Sequence, residues 1–169
     1  MENRQQEWER LVCAAMEALQ DTQIFELENA KFCKVLRLWK YPSFGELQSW
    51  TLLRNLDGVY AVERIMWDRA DDGERMFVAK AGLRHPSGCS ETPSISRTTA
   101  LIENTELIVL LEDLESCYFS PFFVESSICI DGNCFGLETF GVINSRFNWT
   151  DDLPEGWLEL RKWYERVIS

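Results

Sequence analysis

The chain has 169 residues, 46% hydrophobic and 27% charged, with 28 acidic against 17 basic side chains and a net charge of −11. That length and apolar content suit one packed domain over residues 1–169 and argue against a disordered chain. The negative charge repels phosphate backbones and anionic lipid surfaces, so neither nucleic acid nor membrane is expected as a partner.

The first ten residues are polar where a signal peptide needs an apolar stretch, and no segment approaches the roughly 18 consecutive apolar residues of a membrane span. A cytoplasmic protein is expected, with its six cysteines as reduced thiols, because none of them forms a CxxC pair. The charge is unevenly spread: from Thr98 to Glu155 eleven acidic residues accompany one basic residue, Arg146.

Trp8, Leu11, Val12, Ala15, Met16 and Leu19 recur at i, i+3, i+4 spacing and predict an amphipathic helix from about Arg4 to Leu19. Two β-prone stretches follow, 23–28 and 31–39. In the second, strict alternation puts Phe32, Lys34, Leu36 and Leu38 on one side, opposite Cys33, Val35, Arg37 and Trp39. Residues 49–56 and 59–69 flank Asp57-Gly58, which predicts a hairpin; a two-residue turn pairs Trp50 with Ile65 and sets Trp67 on the same face.

Residues 75–81 read as a further strand after an acidic turn at Asp68, Asp71 and Asp72, and 82–97 as a long loop. The run from Thr99 to Glu115 lacks Pro and Gly and predicts a central helix. Residues 122–130 and 134–143 flank Asp131-Gly132 as a second hairpin, and Trp157, Leu160, Tyr164, Val167 and Ile168 mark a C-terminal helix. The fold class expected is α+β: a mainly antiparallel sheet of about five to seven strands built from hairpins, with N-terminal, central and C-terminal helices on one face.

Signatures of catalysis and of cofactor or metal binding are missing, so no cofactor, metal ligand or catalytic residue is assigned and the chain is not expected to be an enzyme. His85 is the only histidine, which excludes multi-histidine zinc sites and leaves little for Cys-His catalysis with the nearby Cys89. In the second hairpin Cys129 falls opposite Cys134, at about 4.5 Å between Cα atoms, and Glu125 opposite Glu138, a carboxylate pair that invites a cation or a basic group.

The charge distribution points to a basic protein as partner, met by Glu103, Glu106, Glu112, Asp113, Glu115, Asp151, Asp152 and Glu155, with Trp149 and Trp163 as aromatic anchors. An immunity- or antitoxin-like inhibitor has such a size and charge. Two alternatives are a small-molecule or enzymatic pocket between sheet and helices, lined by aromatics with Glu63 and Arg64, and a homodimer built on Trp163 and Val167.

Overall fold

The computed structural model describes residues 2–21, 26–27, 30–80, 92–102, 104–117, 132–142, 144–151 and 156–168. The N-terminal stripe forms a helix, α1 (Glu2–Gln20), which buries Leu11, Ala15 and Leu19. Six strands follow one another across an antiparallel sheet in the order β5 (Ile95–Ile102), β4 (Tyr60–Trp67), β3 (Leu47–Asn55), β2 (Ala30–Pro42), β6 (Asn133–Thr139), β7 (Ser145–Thr150). The short β1 (Glu26–Leu27) pairs with the first residues of the long β2, beyond the reach of β6. Three further helices, α2 (Arg69–Lys80), α3 (Asn104–Glu115) and α4 (Leu158–Ile168), complete an α+β fold.

The helices occupy both faces of the sheet, not one. α1 lies on the side of Leu47, Ile65 and Trp67, and α3 and α4 lie on the side of Leu36, Leu38 and Leu52. Two one-residue irregularities decide which side chains go where. In β2, Lys34 pairs with Leu53 and Leu36 with Leu52, so Val35 is an extra residue, a β-bulge. The bulge inverts the alternation, and Phe32 shares a face with Arg37 and Trp39 while Leu36 and Leu38 take the other.

In the β3–β4 hairpin, Asn55 accepts from and donates to Val59 across a three-residue loop, 56–58, that ends on Gly58 at φ 82°. A left-handed residue there costs Gly little and closes a three-residue hairpin. The register slips by one from the two-residue expectation: Ser49 opposes Ile65, and Trp50 opposes Arg64 on the face away from Trp67.

Three more expectations change. The segment from Arg69 to Lys80 is a helix, because Asp68 caps it (Asp71 N–H to Asp68 Oδ1, 2.9 Å) and Asp72 is buried, accepting from Trp67 Nε1 at 2.7 Å and from Ser94 N–H at 2.8 Å. Residues 95–102 are a strand, so the central helix starts only at Asn104. β6 has β2 on one side and β7 on the other, which leaves it no edge for the expected ladder with 122–130. Cys134 therefore opposes Tyr41 and Thr150, and Glu138 opposes Arg37 and Arg146; Glu125 and Cys129 lie outside the described residues, as do His85 and Cys89.

Beneath α4 the sheet is closed by aromatic rings. Trp149 meets Tyr164 at 5.1 Å and Trp157 at 6.3 Å, and Phe135 meets Tyr164 at 5.7 Å, all edge-on. Such pairs each add about 0.5–1.5 kcal/mol beyond the area they bury. The Tyr164 hydroxyl donates to the Trp39 carbonyl at 2.6 Å, and burial pushes its pKa well above the usual phenol range.

Candidate functional site: an apolar cavity under α3

The aromatic packing stops short of the β3–β4 side. There, between the sheet and the two helices α3 and α4, lies a cavity of about 610 Å³. Its floor is the alternate residues of successive strands: Leu36 and Leu38 of β2, Trp50 and Leu52 of β3, Val62 of β4 and Ile102 of β5. The period of two in strands delivers this set once the bulge at Val35 and the three-residue turn have set the phase. Leu107, Leu110 and Leu111 of α3 form the roof, and Trp163, Val167 and Ile168 of α4 form one wall. The volume lies within the range of about 300–1,000 Å³ typical of small-molecule sites.

Polar side chains reach the lining at one end, where Thr105 and Glu106 stand in the first turn of α3 with both side chains exposed. The indole N–H of Trp163 is already used, donating to the Leu110 carbonyl at 2.6 Å. That bond and the Arg166–Asp113 ion pair at 2.5 Å tie α3 to α4 over the cavity. At the far end of α3, burial first, then Glu159 and Asp113, push the Cys117 thiol up, so it stays protonated at neutral pH and is a poor nucleophile.

Among the described residues, the expected partner residues are divided between solvent, ion pairs and the core. Glu112 and Glu115 are exposed on α3, Glu106 is exposed at the edge of the cavity, and Asp113 is engaged by Arg166. Asp151 accepts from the backbone and side-chain N–H groups of Asn133 at 2.8 and 3.0 Å, contacts that hold its carboxyl below the usual range. Trp149 and Trp163, expected as surface anchors, are 4% and 3% exposed; Trp163 sits within the buried stripe of α4 at i+3 from Leu160. The expected homodimer face, Trp163 with Val167, is turned into the cavity. Glu103, Asp152 and Glu155 lie outside the described residues.

Glu63 and Arg64, expected together in a pocket, point to opposite sides of β4. Arg64 is exposed and donates to Gln48 at 3.1 Å. Glu63 is buried on the α1 face, where Arg97 meets it at 3.2 Å. That face holds a polar network of its own. Arg37, 5% exposed, pairs with Glu138 at 2.6 Å and donates to the Gln20 carbonyl, Ser49 donates to the Leu19 carbonyl, and Arg97 donates to those of Ala18 and Asp21. α1 carries no basic residue in its last turn, so strand side chains satisfy its terminal carbonyls and oppose its negative end.

Comparison with known proteins returns no matching family model, no matching curated protein and no matching solved structure.

Proposed function

We propose that this protein binds a small, largely apolar molecule in the cavity beneath α3. The observation that carries this reading is the cavity itself, about 610 Å³ bounded mainly by aliphatic and indole side chains. A void of that size forfeits the dispersion contacts that a packed interior would make, and an apolar ligand restores them. The test is fluorescence titration with the environment-sensitive probe N-phenyl-1-naphthylamine against the native chain and a Val62→Phe variant, whose larger ring grows into the cavity. Saturable, one-to-one binding to the native chain that is lost in the variant supports the reading; equal binding to both rejects it.

A second reading has its own support: an acidic module for a basic protein partner, of the immunity or antitoxin kind, acting in the cytoplasm. The outward side of α3 sets Ile108 and Val109, 44% and 52% exposed, beside Glu112 and Glu115, and the described part of this helix carries no basic residue. An apolar pair rimmed by like charges suits docking to a basic surface. A salt-graded pull-down with the native chain and a Glu112→Lys/Glu115→Lys variant tests it. A stoichiometric basic partner that the variant fails to retain supports this role, and a partner held equally by both overturns it.

A further inference from the structure

The cavity's polar inventory narrows its ligand, on the premise that the cavity is a binding site. A buried polar group without a hydrogen-bond partner is strongly disfavoured, so the body of the ligand must be apolar wherever the lining is aliphatic. Among the described lining residues no cation is present to neutralise an acid head, and the Trp163 N–H is already committed to the Leu110 carbonyl. Among the side chains of the described lining, a ligand's polar end meets one hydroxyl, Thr105, and one carboxylate, Glu106, neighbours where the lining meets solvent; the backbone N–H groups of this first turn donate to an alcohol oxygen as they would to a carboxylate, so the charge of Glu106 is what separates the two.

A carboxylate accepts hydrogen bonds and does not donate them, and a threonine hydroxyl does both. The matching head group is therefore a donor, and a negative one is repelled by Glu106. Arg64, the cation on the same face of β4, is turned to Gln48. We propose that the cavity selects amphiphiles with a single apolar chain or ring body and a hydrogen-bond-donating head, an amine or an alcohol, over the corresponding carboxylic acids, with Thr105 and Glu106 receiving the head.

Three chain-matched probes, dodecylamine, dodecan-1-ol and dodecanoate, separate the parts of this statement when titrated below their micellar concentrations by tryptophan fluorescence and calorimetry. The native chain is expected to bind the amine and the alcohol at least about tenfold more tightly than the carboxylate. Exposed charge contacts and charge-assisted hydrogen bonds are of that order. Glu106→Gln is expected to weaken the amine about fivefold, to leave the alcohol unchanged and to narrow the gap to the carboxylate.

If all three probes bind the native chain alike and Glu106→Gln changes nothing, the head-group selection is overturned while the cavity reading stands. If none binds, or if Val62→Phe binds them as well as the native chain does, the cavity reading falls with it. Because Glu106 is exposed on the first turn of α3, Glu106→Gln leaves the core intact, and an unchanged melting temperature for that variant checks this.

Discussion

The two faces of the sheet solve the same packing problem with opposite chemistry. On the α1 side, Arg37, Ser49 and Arg97, the last paired with the buried Glu63, lock the end of a helix to three strands. On the α3–α4 side the interior is aromatic and aliphatic, dense under α4 and hollow under α3. A polar network tolerates little displacement, because each broken contact leaves a desolvated group behind. An apolar wall around a cavity has no such directional demand and accommodates different occupants. The contrast gives the first face a directional lock and leaves the second the room that the proposed ligand would fill.

The sharpest way to break this contrast is to remove a charge from the rigid face. Arg37→Met strips Glu138 of its 2.6 Å partner and leaves the Gln20 carbonyl without its guanidinium donor. Breaking one half of a buried ion pair costs about 3–5 kcal/mol, whereas replacing both halves by apolar groups is often close to neutral. Urea unfolding should show a large loss for Arg37→Met and a smaller one for Arg37→Met/Glu138→Met. A single variant within about 1 kcal/mol of the native chain would mean that the network is not what fixes α1.

Alkaline titration probes the same side by another route. Burial pushes Tyr41 from 10.0 up to about 12, partly offset by Arg37 and Arg146. A raised folded-state pKa means that the unfolded chain loses this proton first. The stabilisation is complete below pH 10, declines as pH rises from 10 towards 12 and reaches roughly 3 kcal/mol of loss once both states are ionised. On the opposite face Tyr164 is shifted in the same direction by burial, so its own loss begins in the same range and continues to higher pH. Tyrosinate absorbance during a pH-stability series should show the two effects together, and Tyr41→Phe should make the fall between pH 10 and 12 shallower without abolishing it. A stability curve unchanged between pH 10 and 12 would contradict the burial of this phenol.

On the hollow face, added volume should be nearly free. Val62→Phe is expected to change unfolding stability by no more than about 1 kcal/mol in either direction, since it fills space where a packed core would force strain of about 1–3 kcal/mol. A loss above that range would show that the cavity is smaller in solution than its walls suggest.

How much of this was legible in the sequence depends on the range of the interaction that decides each feature. α1 and α4 follow from helical periodicity, which is local, although the stripe Trp157, Leu160, Tyr164, Val167 and Ile168 omits Trp163, which is buried beside it. The fold class follows from the hairpin signals. The helix over 69–80 was obscured by Gly73 and by reading Asp68, Asp71 and Asp72 as a turn, when Asp68 is the cap and Asp72 the buried acceptor for Trp67. Residues 95–102 are neutral between strand and helix, and pairing with β4 decides them. The cavity was expected only as an alternative, with Glu63 and Arg64 as its polar groups. Its floor depends on two one-residue phase shifts, at Val35 and in the Asn55–Val59 loop, that no alternation count reveals. The capping of α1 by Arg37, Ser49 and Arg97 spans separations of 17 to 79 residues and leaves no local signature.

The smallest effect distinguishes a roof that is merely packed from one that is clasped. Arg166 and Asp113 are both about half exposed at 2.5 Å, and surface pairs of this kind contribute about 0.2–1 kcal/mol. Asp113→Asn should therefore leave the urea midpoint almost unmoved, because the aromatic packing under α4 does not depend on it. Among its described residues α3, however, has one that is more than nine-tenths buried, Leu107, and its polar links to α4 include this pair and the Trp163–Leu110 bond. Weakening one of these ties should raise amide hydrogen exchange in α3 by up to about fivefold while exchange in β3 and β4 stays at its native rate. Unchanged exchange in α3 would make the second tie sufficient to hold the roof. A parallel rise in the sheet would show that α3 and the strands open as one unit, and access to the cavity would then require opening of the sheet as well as of α3.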